Sequence, residues 1–192
     1  METTPEAQPS FISRFYGLLL LMAAIWIISI VNFVLGESLN RFGIYPRSVE
    51  GLLGLVVSPF LHGGIFHLLS NTMPMLLLGG MVSLRGQVNF WGVTIAVAIV
   101  GGLGVWLMGR NAFHIGASGL VFGYFGYLVA LGWFERKLSS IAIAVVTLML
   151  YSGLLFGVLP VRSWVSWEGH LFGMLAGCLI AYLEARGRRG AT

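Results

Sequence analysis

The sequence predicts an all-α polytopic membrane protein folded as a bundle of six transmembrane helices. Three observations predict it. Hydrophobic residues make up 57% of the 192-residue chain and charged residues only 9%, with a mean hydropathy of +0.89. A soluble domain carries roughly 25% charge, so this chain lacks the polar surface to face water. Six apolar runs each approach the length a helix needs to cross a bilayer, about 20 residues. Backbone groups in lipid must pair within their own segment, which selects helices over an open sheet.

The elements follow in order. The N-terminus, METTPEAQPS, is rich in Pro and Thr and lacks the basic start of a signal peptide. Residues 1–14 are expected to form a short disordered arm. The first apolar run, 15–35, has no small-residue cleavage signal after it and should remain in the mature protein. The segment GESLNRFGIYPRSVEGLLGLVVSPFLHGG then mixes polar and apolar residues, as a structured, partly interfacial loop would. Five further spans are expected at 67–84, 90–108, 117–134, 138–159 and 169–183. The expected organisation is an arm over 1–14, one membrane domain over 15–184 and a basic tail over 185–192, since this length allows a single compact bundle.

Charge sets the expected orientation. Arg14, Arg85, Arg136, Lys137, Arg186, Arg188 and Arg189 fall on one side, and Arg41, Arg47, Arg110 and Arg162 on the other. Seven against four places both termini in the cytoplasm. The net charge of +4 is therefore a topology signal and not a nucleic-acid footprint. The tail can also meet anionic headgroups of the bilayer. The single cysteine, Cys178, excludes an internal disulfide and a C-x-x-C metal or redox site. No metal and no cofactor is expected.

Helices two, four and six all run from outside to inside in this topology. Their starts read HLLSN, GASG and EGHLFG, which puts His67, Asn71, Ser118 and His170 near the outer end of the bundle. A lone membrane histidine or serine is commonly a packing group bonded to its own or a neighbouring helix. Four such groups from three distant segments at one depth point to a site, because polar residues inside a membrane are costly and face the bundle interior.

The residue types fit acyl transfer. A serine hydroxyl needs an adjacent general base, and histidine is the usual one. The tetrahedral intermediate needs donors for its oxyanion. His67 and Asn71 are four apart and share one helical face. The Ser118 amide lies in the first turn of its helix, where N–H groups lack intrahelical acceptors and developing negative charge is favoured. The chain contains no Asp, and Glu168, two residues before His170, does not share its face on a helix. The expected constellation is thus a Ser-His dyad. Phe122, one turn after Ser118, can stack on the His170 ring or serve ordinary packing.

Glycine recurs at 119, 123 and 126 on helix four and at 169, 173 and 177 on helix six. Small residues at such spacing let membrane helices approach backbone to backbone. Facing stripes would carry Ser118 to within reach of His170. Pro74 removes a backbone bond inside helix two and should bend it.

His67-x-x-x-Asn71, Gly116-Ala117-Ser118-Gly119 and His170-x-x-Gly173-x-x-x-Gly177, in this order on alternating spans, resemble the rhomboid family of intramembrane serine proteases. The resemblance covers roughly residues 55–180. It implies a six-helix rhomboid fold and cleavage of membrane proteins in or near their transmembrane segments. It implies Ser118 as nucleophile, His170 as base, and His67, Asn71 and the Ser118 amide around the oxyanion. Gly116, Gly119, Gly173 and Gly177 would support the site, and His62, in PFLHGGIFHLLSN, resembles a second family histidine near the loop. Substrates, themselves transmembrane proteins, would enter past a mobile helix five. The site would open toward the outer face of the cytoplasmic membrane.

The sequence departs from the family pattern in three places. PRSVEGLLG stands where many members carry a Trp-Arg pair, so loop one is expected to be held differently. Phe122 replaces a frequent Tyr, which keeps stacking but loses a hydroxyl, and Gly169 replaces a frequent Ala. The competing reading is a catalytically silent rhomboid-like protein that binds membrane clients; such members have usually lost Ser or His. A small transporter or channel would show an internal repeat or polar groups at mid-membrane.

Overall fold

The computed structural model describes residues 10–161 and 165–189. Most of the expected N-terminal arm, Arg162 and the last three residues of the expected tail lie outside the described residues. The long helices are α1 (Tyr16–Val34), α2 (Ile65–Ser83), α3 (Gln87–Met108), α4 (Ser118–Glu135), α5 (Leu138–Tyr151) and α6 (Trp167–Arg189). No strand is present among the described residues. Four helical stretches, Ile12–Val34, Ile65–Ser83, Gln87–Met108 and Leu138–Val158, are long and apolar enough to cross a membrane.

α4 falls short of that measure for a physical reason. α4 is the centre of the bundle. Every residue from Leu120 to Leu128 is buried, as are Ala130, Leu131 and Gly132. A helix enclosed by protein needs packing, not lipid-facing apolar surface, and glycine and tyrosine serve it. Tyr124 and Tyr127 are wholly buried. Tyr124 Oη pairs with Thr94 Oγ1 at 2.7 Å, so its hydroxyl is satisfied. α5 is the opposite case. Only Ser140, Ala144 and Thr147 are buried, one stripe against α4, while Leu138, Val145, Met149 and Leu150 are exposed. That exposed apolar face suits lipid.

The glycines place the helices, though not as two simple facing stripes. A methyl at Gly173 would overlap the Gly119 carbonyl, and one at Gly177 would overlap the Gly123 carbonyl. Gly126 meets the Met174 carbonyl in the same way. Gly123, by contrast, turns its open side to Val97 of α3. α3 itself contains a π-helical turn, Val97–Gly101, which the sequence did not suggest. It brings Gly101 against α6, where an added Cβ would lie 3.1 Å from the Gly173 Cα. Backbones of α3, α4 and α6 thus meet at small residues.

Two boundaries differ from expectation. α6 runs to Arg189, through residues expected as tail. Its last turns are supported by a Glu184–Arg188 pair at 2.5 Å, and basic residues at a helix C-terminus oppose its dipole. α5 gives way to a 3₁₀ stretch, Ser152–Val158. Pro74 lies inside α2, and the helix continues through it.

Loop one is held by a different Arg and Trp. The Arg47 guanidinium donates to the Leu107 and Gly109 carbonyls at 3.3 and 2.9 Å and also bonds Asn111. Trp106 Nε1 donates to the Ser48 carbonyl at 2.7 Å. The ring and the guanidinium come from separate elements, the end of α3 and the loop, and clamp one to the other.

At the end of the bundle away from Ser118, charges are drawn into one cluster. Arg85 grips Glu135 with both Nη atoms at 2.7 and 3.2 Å and reaches Glu184 at 2.9 Å. Ser140 Oγ donates to Glu135 at 2.5 Å. Tyr127 Oη donates to Glu184 at 2.6 Å, and Asn89 bonds both. Five helices or their ends converge there.

Candidate active site

Ser118 opens α4. Gly116 just before it has φ +111°, a conformation L side chains rarely adopt. Its N–H donates to the Ser58 carbonyl at 2.9 Å, which fixes the turn. His62 holds the next residue. Its Nε2 accepts the Ala117 N–H at 3.4 Å, so Nδ1 carries the proton and donates to Ser29 Oγ at 2.9 Å. The Ser29 hydroxyl in turn donates to the Phe60 carbonyl at 3.2 Å.

His62 is fully buried, and that burial, with His67 close by, pushes its pKa down to about 3. Unfolded, it titrates near 6.5. The unfolded chain therefore binds more protons between these values, so this contribution to stability is complete above the higher value and is lost as pH falls across the window. His62→Gln is expected to flatten that slope when thermal unfolding in detergent is compared at about pH 7.5 and about pH 5. A slope equal to wild type would remove His62 from the account.

His67 lies directly beside the serine turn. A Cβ on Gly116 would sit 2.7 Å from His67 Nε2, so this close approach also requires glycine. His67 Nδ1 accepts the Gly63 N–H at 3.4 Å, which leaves Nε2 to carry the proton as a donor. Asn71, buried on the same face, donates one amide hydrogen to the His67 carbonyl at 3.0 Å and keeps the other. His67 and Asn71 lie one turn apart on α2, and the His67 ring faces Gly116, two residues before Ser118.

His170 sits one turn into α6. Its ring stacks on Phe122 with centroids 4.0 Å apart and planes within 5°. Its Nδ1 lies 2.8 Å from the Gly157 carbonyl. A carbonyl only accepts, so Nδ1 carries the proton and Nε2 is left unprotonated. The peptide carbonyl thus fixes the ring's orientation. Glu168 turns away, toward Arg110, as its spacing from His170 requires. The open side of Gly119 faces the Gly169 carbonyl at 3.6 Å, so the first turns of α4 and α6 are adjacent.

Ser118 Oγ makes no hydrogen bond to another described residue, and it is not bonded to His170. Bonds of this kind commonly tighten only when substrate arrives. Ser118 lines a cavity of about 40 Å³ together with Gly116, Gly119, Gly169 and Gly173. Among the described residues no cluster of His, Cys, Asp and Glu is placed to hold a metal ion.

A family model described as the Rhomboid domain matches residues 49–187. The chain belongs to the rhomboid family. An uncharacterised Mycobacterium tuberculosis protein, Rv1337, is 37% identical to this rhomboid over 198 aligned residues, covering 98% of this chain and 82% of its own. An uncharacterised Mycobacterium leprae protein, ML1171, is 38% identical over 175 residues, with 86% and 69% covered. A Bacillus subtilis protein named as a candidate rhomboid protease, YdcA, is 29% identical over 133 residues, with 67% and 65% covered. With its apolar helices, this rhomboid is a multi-pass membrane protein.

Within the candidate site, the residues that carry motifs are visible in the sequence, and the main-chain contacts are not. The Gly157 carbonyl has no residue signature. The Phe122 stack was legible from the one-turn spacing, and it gives a direct test. Phe122→Ala is expected to lower the turnover of the folded fraction about tenfold, because His170 keeps its Gly157 bond but loses one face, and, since Phe122 is buried in the core, to cost about 3–5 kcal/mol of stability as well. Equal turnover would leave Phe122 as packing alone.

Proposed function

We propose that this rhomboid is an intramembrane serine endopeptidase. It would hydrolyse peptide bonds in or near transmembrane segments of other membrane proteins, with a Ser118–His170 dyad and no metal or cofactor. The observation that carries this reading is the fixed His170 ring, stacked on Phe122 one turn after Ser118, with its Nδ1 proton held by Gly157 and its Nε2 left unprotonated.

In the proposed reaction, His170 Nε2 takes the Ser118 proton as Oγ attacks the scissile carbonyl. The tetrahedral oxyanion receives the His67 Nε2–H, the second Asn71 amide hydrogen and the Ser118 backbone N–H. His170 then gives the proton to the leaving amine, and water, deprotonated by the same nitrogen, releases the acyl group. We place the termini in the cytoplasm and the site toward the outer face of the cytoplasmic membrane, on the charge bias of the connecting segments. In the same reading, residues 1–14 are a cytoplasmic arm, 15–184 the membrane domain and 185–192 a basic cytoplasmic end.

One observation favours a second reading, a silent rhomboid that binds membrane clients: Ser118 and His170 are not bonded to each other here. Reconstitution in liposomes with a single-span substrate separates the two. Wild type should cut while Ser118→Ala and His170→Ala leave the substrate intact. Cleavage that persists in Ser118→Ala would overturn the protease reading.

A further inference from the structure

The first turn of α6 is tied at two points to the segment that delivers Ser118. The first tie runs through Ser166. Its Oγ accepts the Gly169 N–H at 3.2 Å, which caps the helix. Its carbonyl accepts the N–H of His170 itself at 3.2 Å. The same hydroxyl lies 2.7 Å from His114 Nδ1. His114 Nε2 faces the Arg110 carbonyl at 3.1 Å, so Nε2 carries the proton and Nδ1 accepts from Ser166. His114 is buried, and burial lowers its pKa, which keeps the neutral ring that these bonds need.

The second tie runs through Glu168. Its Oε1 accepts the Arg110 backbone N–H at 3.3 Å and pairs with the guanidinium at 3.6 Å. Arg110 Nη2 also donates to the Val165 carbonyl at 2.6 Å. The tied segment is itself anchored. Ile44 and His114 exchange backbone bonds of 3.0 and 2.9 Å, and four residues along the chain from His114 comes Ser118.

We propose that His114, acting through Ser166 and assisted by the Arg110–Glu168 pair, positions His170 relative to Ser118. Residues 110–118 hold the serine at one end and grip the base's helix along the rest, so one short segment sets the spacing of the two. This rests on the reading of Ser118 as nucleophile and His170 as base. His114 and Ser166 touch no reacting atom and are positioning residues. Displacing a base by about 1 Å can cost on the order of 100-fold in rate.

The test uses the full-length protein in liposomes, with kcat and KM for a single-span substrate and thermal unfolding of each variant. His114→Ala and Ser166→Ala are expected to lower kcat at least about tenfold with KM unchanged. Ser166→Thr, which keeps the hydroxyl, should restore most of kcat. Because His114 acts through Ser166, the double variant should be no slower than Ser166→Ala alone. Where His114→Ala does not fold, His114→Asn takes its place, since its side-chain oxygen still accepts from Ser166 and should hold kcat near wild type. Full kcat in folded His114→Ala, losses that multiply in the double variant, or a slow His114→Asn each overturn the proposal. A wild type that neither cleaves nor reacts with a fluorophosphonate overturns the protease reading and this one with it. An active wild type with unaffected variants overturns this one alone.

Discussion

Gly177→Leu is expected to unfold the bundle or separate α4 from α6, with loss of activity in either case. The first added carbon would overlap the Gly123 carbonyl and lie 2.8 Å from the Tyr127 nitrogen. Both are main-chain atoms of a helix buried on every side, so neither can turn aside as a side chain would. Overpacking a core usually costs about 1–3 kcal/mol. Here whole helices must part, and a loss above about 3 kcal/mol is expected, with Gly177→Ala in between. Ser118 and His170 ride on the two helices concerned, so turnover should fall with stability. Gly187→Leu is the control. Nothing lies within 4 Å of its added carbon, and its effect should stay within about 0.5 kcal/mol. Thermal unfolding in detergent checks both. Wild-type stability for Gly177→Leu would mean that the two backbones do not touch.

Arg85→Ala is expected to be the most costly change at the opposite end. The Glu135 side chain is only 3% exposed and takes two of its bonds from this guanidinium. Removing one partner of a buried pair typically costs roughly 3–5 kcal/mol, because the remaining charge is left uncompensated. Ser140 and Arg188 stay near Glu135, which favours the lower part of that range. Arg85→Ala combined with Glu135→Gln should recover part of the loss, since the orphaned charge goes with it. Equal destabilisation of the single and double variants, measured by thermal unfolding, would show that the charge of Glu135 is not what Arg85 compensates.

These two results touch different layers of what the sequence disclosed. The helical membrane class was legible because composition leaves no other solvent for the chain. The candidate site was legible where chemistry rests on side chains at fixed spacing: His67 with Asn71, Ser118 in its glycine turn, His170 with Phe122 one helix away. What stayed hidden involves the main chain or pairs distant in sequence. Any residue could have offered the carbonyl that Gly157 gives to His170. The π-helical turn in α3 has no periodicity of its own. Arg85 and Arg188 were counted as topology signals, which their sequence positions support, yet in three dimensions they also neutralise Glu135 and Glu184. His114 stood four residues before Ser118 in plain view, but only the fold reveals that its partner is Ser166. The basic tail carried no expectation of conformation, and in the structure α6 continues into it as far as Arg189, with the Glu184–Arg188 pair on its last turns.

The Ser118 end and the Arg85 end also differ in kind. At the Ser118 end, the Ser58 and Ser166 carbonyls hold the backbone N–H groups of Gly116 and His170, the Gly157 carbonyl holds the His170 ring, and Ser118 Oγ makes no hydrogen bond to another described residue. At the other end the charged cluster ties five helices or their ends at once.

In the proposed reaction His170 activates Ser118. The most direct measurement is the rate of covalent labelling by a fluorophosphonate in liposomes, with the modified residue located by mass spectrometry. One labelled residue is expected, Ser118, with labelling lost in Ser118→Ala and slowed by at least about 100-fold in a folded His170→Ala variant. Labelling at any other residue, or an undiminished rate without His170, would contradict it.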